Sequence, residues 1–325
     1  MCLNKSVIFI FVFLLLFPFV KAEAFFGNAA NKAQKNIIAS LEESYRAGDY
    51  DGVEELGREF LIKYPSASKN RLKKVYLLLG LAYIGEGQKD KAMLIYNEAA
   101  EFLPKDTEIL LALGYIYLDG GLTDNAKSIY NKVLKFDEDN KDAFLGLARA
   151  YFQEGFFSKA SFYFNKYEES GAKEPDDFLY YYATSEYLSN NNDTALQIAF
   201  RSLIFKPDAD GFMLIAKIYK NKGDWDNAVV YLDKALESNP SRKDIYMIKM
   251  LWFAFNLQTS DQALKMAEEI LIQDKQDRLA LFAKYIALFR QGRFNKAKEQ
   301  LEKIVAQEGD GFIERVAQKI YGHTN

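Results

Sequence analysis

The feature that most constrains this chain is a segment that repeats itself. Residues 72–106 read LKKVYLLLGLAYIGEGQKDKAMLIYNEAAEFLPKD, and similar segments follow along most of the sequence. A repeat of about 20 to 50 residues is a structural unit that cannot bury its apolar face alone and becomes stable when stacked on its neighbours. We therefore expect a linear stack of units, because one compact core of 325 residues would be unusually large.

Each repeat contains two apolar runs with the spacing of an amphipathic helix. In residues 72–106 the first run consists of Tyr76, Leu79, Gly80 and Tyr83, and the second of Ala92, Tyr96 and Ala99. Gly87 ends the first run, and Pro104 stops the second because proline cannot donate the next helical hydrogen bond. The pattern predicts two antiparallel helices per repeat. Gly80 and Ala92 are expected to be small because the two backbones come close there, and the rings of Tyr83 and Tyr96 are expected to fill the space above and below.

This order of Tyr, Leu, Gly, Tyr, Gly, Ala, Tyr, Ala and Pro resembles the tetratricopeptide repeat (TPR). The resemblance implies an all-α fold, a right-handed superhelical solenoid of antiparallel helix pairs. Units begin near residues 34, 73, 107, 141, 176, 209, 244 and 278, so the predicted solenoid covers residues 34–310, with five extra residues near 66–70. In the fifth unit Asn190 replaces the turn glycine, and asparagine is the usual substitute where a turn needs positive φ.

The two ends of the chain fall outside the repeats. Residues 7–20 are an unbroken apolar run, followed by Ala22-Glu23-Ala24, which together are typical of a signal peptide over residues 1–24. This predicts an exported protein, periplasmic or secreted, with a flexible leader over residues 25–33. The alternative is a membrane anchor formed by residues 7–20, although this run is shorter than the roughly 20 residues that span a bilayer. Residues 311–325 are expected to form a C-terminal capping helix and tail.

The composition offers little for catalysis or metal binding. Cys2 lies in the predicted signal peptide, and His323 is the third residue from the end, so zinc sites and thiol nucleophiles are not expected. We predict no catalytic residues, no cofactor and no metal. The acidic clusters 137–140 and 208–211 resemble pieces of calcium loops but lack the closing glutamate, and their position at turns predicts helix caps. A net charge of −3 without a basic block argues against nucleic-acid binding.

In the tetratricopeptide family, the first helix of each unit lines a concave face where partners bind as peptides or helices. By register, the resemblance implies a partner-binding groove that includes Tyr115, Arg149, Phe152, Tyr180, Tyr187, Lys217, Trp252, Phe255 and Phe289. The aromatic residues suit an apolar or amphipathic peptide, and the basic residues suit an acidic one. The alternative is that superhelical winding buries these rings between units as core.

Phe156 and Phe157 form a separate feature, because they fall where the turn of the fourth unit is predicted. Paired aromatic residues in a turn should be exposed unless something covers them, which favours a second contact surface or a homodimer interface. The alternative is that both rings fold back onto the turn of the neighbouring unit.

The function that these patterns favour is an exported, non-enzymatic scaffold. It would bind a protein or peptide partner in its groove, within an envelope, secretion or surface-assembly system. One alternative is a membrane-tethered TPR subunit that recruits or regulates an enzyme complex, contacting the membrane only through an uncleaved N-terminus. Another is an enzyme that uses groove carboxylates such as Glu42 and Asp119. Self-association stays open.

Overall fold

The computed structural model describes residues 29–173 and 175–306, which fold into helices without any strand. They divide into two compact units, the first ending at residue 173 and the second beginning at 174. The helices of the first unit are α1 (residues 29–47), α2 (Tyr50–Lys63), α3 (Lys69–Gly85), α4 (Lys89–Phe102), α5 (Thr107–Asp119), α6 (Thr123–Leu134), α7 (Lys141–Gln153) and α8 (Phe157–Glu169). The helices of the second unit are α9 (Phe178–Leu188), α10 (Asn192–Phe205), α11 (Ala209–Asn221), α12 (Trp225–Ser238), α13 (Lys243–Phe255), α14 (Ser260–Gln273), α15 (Arg278–Arg290) and α16 (Phe294–Val305).

Within each unit, a helix packs mainly on its immediate neighbours along the chain. The predicted all-α fold of stacked helix pairs is confirmed. The predicted bounds of the solenoid, residues 34–310, stay a prediction, and the chain divides into its two units after residue 173. The segment joining α8 to α9, residues 170–177, is longer than the connections around it and contains Gly171 at φ 65° and Pro175, neither of which favours a continuing helix.

The turns within the helix pairs depend on one residue with left-handed φ. Gly87 has a φ of 74°, and Asn190 has a φ of 64°, which confirms that asparagine replaces glycine for this reason. The seventh pair has Gln258 in this register and turns differently, through a short 3-10 segment at Leu257–Thr259. The side chain of Asn256 accepts a hydrogen bond from the Gln258 backbone N–H at 3.1 Å and stabilises this turn.

Polar side chains between the pairs start the next helices. Asn140 Oδ1 accepts a hydrogen bond from the backbone N–H of Ala143 at 2.9 Å, and Asp208 Oδ1 accepts one from Gly211 at 2.9 Å. Such caps satisfy backbone donors that have no partner inside the helix. The interpretation of residues 137–140 and 208–211 as helix caps is therefore confirmed for Asn140 and Asp208.

The small residues of the first helices make room for side chains. A Cβ built on Gly80 would lie 2.1 Å from Cζ of Tyr96, and one on Gly114 would lie 2.6 Å from Cε1 of Tyr130. Both tyrosine rings are buried. The space beside Gly80 is therefore filled by the tyrosine ring of the second helix.

The first two pairs are longer at their amino-terminal ends than the sequence predicts. Residues 29–33, assigned above to a flexible leader, are helical in α1. The extra residues before the second unit do not form a loop throughout, since α3 already begins at Lys69. Arg71 in this added turn donates hydrogen bonds to the side chains of Gln34, at 2.6 Å, and Asn31. The two extensions therefore contact one another.

The predictions for the chain ends lie outside the described residues. These are the signal peptide over residues 1–24 and the capping helix after residue 311. Among residues 29–173 and 175–306, no helix combines the length and hydropathy that crossing a membrane requires.

Candidate functional site

Three of the predicted groove residues meet in the second unit. Tyr187 on α9, Lys217 on α11 and Trp252 on α13 line one cleft of about 380 Å³. Its other lining residues are Lys220, Asn221, Trp225 and Ile248. We call this cleft the tryptophan pocket. It is formed by the first helices of three consecutive pairs, together with the beginning of α12.

Two tryptophan rings and one lysine form the centre of the tryptophan pocket. The rings of Trp225 and Trp252 meet edge to face, with centroids 6.3 Å apart and planes at 88°. Lys220 Nζ lies 4.9 Å from the Trp252 centroid and 5.8 Å from the Trp225 centroid. Attraction between an ammonium group and an indole face amounts to about 0.5–1 kcal/mol at exposed sites. Both rings thus help to keep the charge of Lys220 inside the pocket.

The two lysines of the tryptophan pocket differ from other lysines nearby. Lys222, at the end of α11, pairs with Asp193, and Lys249 on α13 pairs with Asp233. For the part of the chain that the structure describes, no carboxylate lies within 4.0 Å of Nζ of Lys217 or Lys220. The pocket therefore has positive charge without a bound counter-charge. It also has partly buried rings, and burial raises the pKa of the Tyr187 hydroxyl.

Tyr180, another predicted groove residue, lies in a different cleft of the second unit. This cleft of about 190 Å³ is lined by Asp176, Asp177, Tyr180, Tyr181, Ser202, Lys206, Asp208 and Asp210. Burial, followed by the nearby charge of Asp210, raises the pKa of Tyr180. The carboxylates of Asp208 and Asp210 have cationic partners in Lys206, at 3.0 Å, and Arg242, at 2.9 Å. We call this cleft the acidic cleft.

The remaining predicted groove residues are exposed or half-buried. In the second unit, Phe255 is 46% exposed at the end of α13, and Phe289 is half-buried. In the first unit, Tyr115 is 49% exposed, while Arg149 and Phe152 are half-buried. Whether these positions bind a partner stays a prediction.

Phe156 and Phe157 do not form one exposed pair. Phe156 caps α8 and is 54% exposed, with its ring edge-on to Tyr151 at 6.5 Å. Phe157 belongs to the first turn of α8 and not to the turn between helices, which corrects its predicted placement. It is half-buried and packs edge-on against Phe152 at 5.6 Å. Both rings contact α7 of their own pair, so a second contact surface would depend mainly on Phe156.

Trp225 is the pocket residue that the sequence interpretation missed. It lies at the first position of α12, in the register that Phe157 occupies in α8 and Phe294 in α16. The sequence pattern predicts a turn at this register, so it does not predict the contact of Trp225 with the end of α11. The available signal was composition, because the chain has two tryptophans and both line this pocket.

The described residues contain no group of three or more His, Cys, Asp or Glu side chains placed to hold a metal ion. The chemistry that the tryptophan pocket offers is binding. It can donate hydrogen bonds from ammonium groups and provides aromatic surface for an apolar group.

Comparison with known proteins supports the repeat assignment. Residues 73–106, 107–140 and 209–242 match the family described as Tetratricopeptide repeat. These segments are the second, third and sixth predicted units, so the chain contains tetratricopeptide repeats. None of the curated proteins compared with this chain matches it.

One solved structure shows a similar fold. A tetratricopeptide repeat protein from Parabacteroides merdae ATCC 43184 covers 89% of this chain and 98% of its own length, with a TM-score of 0.52 and 17% identity. A structure of MamA is 24% identical over 51% of this chain and 97% of its own, with a TM-score of 0.46. A thermophilic TPR protein from Thermus thermophilus is 19% identical over 56% of this chain and 97% of its own, with a TM-score of 0.40. The first of these likenesses extends the fold assignment beyond the three matched segments.

Proposed function

We propose that this chain of tetratricopeptide repeats is an exported, non-enzymatic scaffold that holds a peptide or a partner's helix against the first helices of its units. The observation that carries the proposal is the tryptophan pocket. Three residues chosen by register, Tyr187, Lys217 and Trp252, line one cleft although 65 residues separate the first from the last. None of the three is fully buried, so packing within the unit does not account for all of their surface.

The composition of the pocket supports binding to protein. Tryptophan and tyrosine are over-represented among residues that dominate the energy of protein interfaces. A lysine held over two rings adds a hydrogen-bond donor that can orient a ligand. Repeats of this kind also place successive first helices side by side, which suits an extended peptide or a helix.

The cellular setting of the proposal depends on the N-terminus. The apolar run over residues 7–20 and the Ala22-Glu23-Ala24 site support export and a role in an envelope, secretion or surface-assembly system. If the run is retained, the protein is instead a membrane-tethered subunit that recruits an enzyme complex. Sequencing the N-terminus of the protein from its own cells separates the two, since cleavage after Ala24 leaves Phe25 first.

The test of the scaffold function is a cross-linked pull-down of the tagged chain from its own cells, analysed by mass spectrometry. A double variant, Trp252→Ala with Phe255→Ala, should lose specific partners that the native chain captures. Ile272→Ala is the matched control, because Ile272 is 79% exposed on α14 and does not line the pocket. Circular dichroism should show the same helix content for all three proteins. Partners that persist in the double variant would refute binding through this face.

A further inference from the structure

We propose that the edge of the second unit where α13 and α15 end binds the surface of an anionic lipid bilayer. The residues concerned lie at and beside the turns of the seventh and eighth pairs, and we call them the turn patch: Phe255, Leu257, Arg290, Arg293, Phe294 and Lys296. This inference goes beyond the scaffold function, because the turn patch lies outside the tryptophan pocket and its partner is not a protein. The sequence pattern predicts membrane contact only through the N-terminus, so the turn patch would be a second contact.

Two adjacent turns expose large apolar side chains on this edge. Leu257 is 58% exposed in the seventh pair, and Phe294 is 56% exposed in the eighth. Arg290 connects the two turns, because its guanidinium donates hydrogen bonds to the backbone carbonyl of Phe255 at 3.0 Å and 2.6 Å. The ring of Phe294 in turn meets Phe289, the neighbour of Arg290, with centroids 5.3 Å apart. The exposed side chains therefore belong to one surface, whereas exposed apolar residues on most proteins are scattered singly.

The cations of the turn patch have no carboxylate partner in the part of the chain that the structure describes. There, no carboxylate oxygen lies within 4.0 Å of the side-chain nitrogens of Arg290, Arg293 or Lys296. Asp261 reaches the same edge, where its Oδ1 accepts a hydrogen bond from Gln291 Nε2 at 2.9 Å. With Asp261 included, these three cations and one aspartate have a net charge of +2. The edge therefore attracts anions.

The first turn of α16 has cations where helix stability favours anions. Arg293 is the N-cap and makes no side-chain cap hydrogen bond, Lys296 follows in the first turn, and that turn contains no acidic residue. In α4, α6, α10, α12 and α14, by contrast, the first turn contains an aspartate. Because the amino-terminal end of a helix carries partial positive charge, Arg293 and Lys296 are unfavourable there and increase the local positive potential. An anionic surface would offset this cost, which packing within the pair does not.

An anionic bilayer matches both parts of the turn patch. Lipid phosphates accept charge-assisted hydrogen bonds from guanidinium and ammonium groups, and Leu257 and Phe294 would enter the boundary between headgroups and acyl chains. Side chains at the tips of turns can reach that boundary, whereas a small ligand needs a cleft to enclose it. Neither the tryptophan pocket nor the acidic cleft includes these side chains. The apolar run over residues 7–20 also supports a membrane as partner, since a signal peptide and an anchor both bring the chain to one.

The test uses the fluorophore nitrobenzoxadiazole, attached to single cysteines of the full chain in a Cys2→Ser background. Labels at Leu257→Cys and Phe294→Cys should brighten and shift to the blue with vesicles of equal parts phosphatidylcholine and phosphatidylglycerol, but not with phosphatidylcholine alone. The control label at Ile272→Cys should respond to neither, because Ile272 is exposed at the opposite end of α14. All three proteins share one N-terminus, so their differences report the turn patch and not residues 7–20.

Charge variants make the test specific. Arg293→Gln with Lys296→Gln should weaken partitioning into the anionic vesicles about tenfold or more, because each basic residue near an anionic surface strengthens binding roughly fivefold. Lys243→Gln with Lys275→Gln makes the same charge change at exposed residues beside the turns between pairs, and should leave partitioning unchanged. Circular dichroism should show the same helix content for every variant.

Four results would overturn the proposal. The first is an equal response of the labels at residues 257 and 272, and the second is an equal response, or none, to anionic and neutral vesicles. The third is partitioning that both charge variants weaken equally, or that neither weakens, since the position of the cations would then not matter. The fourth is a response that appears without vesicles and grows with protein concentration, which would assign the turn patch to self-association.

Discussion

Replacing Lys220 with methionine should reduce the access of anions to the tryptophans without unfolding the pocket. The ammonium group lies 4.9 Å and 5.8 Å from the two indole centroids. A unit charge about 5 Å from a monovalent anion in water attracts it by about 0.8 kcal/mol. At an ionic strength of about 0.1 M, where the Debye length is about 10 Å, screening lowers this to about 0.5 kcal/mol. Iodide should therefore be enriched about twofold at the rings.

The assay compares quenching of tryptophan fluorescence by iodide with quenching by uncharged acrylamide. The ratio of the two Stern–Volmer constants should fall about twofold in Lys220→Met, because acrylamide reports exposure and iodide reports exposure and charge. Lys234→Met is the control, since it removes a comparable lysine from beside Tyr231. An unchanged ratio in Lys220→Met would refute the conclusion that Lys220 sets the electrostatic potential of the pocket.

Three further predictions test the fold. Gly80→Ala should lower the free energy of unfolding by about 1–3 kcal/mol in urea denaturation, because its Cβ would lie 2.1 Å from Cζ of Tyr96 in a filled core; unchanged stability would mean that the ring moves freely. Asn190→Ala should cost about 1 kcal/mol and Asn190→Gly should not, since φ is 64°. Hydrogen bonds from Arg242 lower the pKa of Asp244 to about 2. Any stabilisation from this carboxylate is therefore present above about pH 3.9 and lost as pH falls through about 2. Arg242→Met should raise the pKa of Asp244, as measured by carboxyl NMR.

The repeat period was sufficient to predict the helices, because each unit repeats one local pattern of apolar spacing and turn residues. Asn190 shows how far this reaches, since its positive φ follows from its register alone. The packing at Gly80 is specified less completely by the pattern. Its register indicates a small residue with the Tyr83 and Tyr96 rings filling the space around it, but only the structure shows that the Tyr96 ring occupies the position of the missing Cβ. A spacing pattern predicts where a small residue is needed, but not which atoms pack against it.

Register predicted some of the residues that line the candidate site, but not all of them. Tyr187, Lys217 and Trp252 were selected because they share positions on first helices, and they line one cleft. Trp225 was not selected, because it begins a second helix and reaches the pocket through the turn. Register identifies residues on one helix face, whereas a pocket also includes side chains that arrive from neighbouring elements.

The contact between the end of the first helix and the start of the second differs between the sixth pair and two other pairs. In the fourth and eighth pairs, the end of the first helix meets the start of the second through two phenylalanines, Phe152 with Phe157 at 5.6 Å and Phe289 with Phe294 at 5.3 Å, both at 71°. In the sixth pair Lys220 and Trp225 take these positions, with Nζ 5.8 Å from the ring.

Packing at this junction is thus satisfied by two rings and does not require a cation. Lysine here exchanges an apolar contact for a charge that the described residues leave without a carboxylate. Since an exposed cation–π contact stabilises by only about 0.5–1 kcal/mol, stability alone gives little reason for the exchange. The charge of Lys220 is therefore better explained by binding of a ligand in the pocket than by packing within the helix pair.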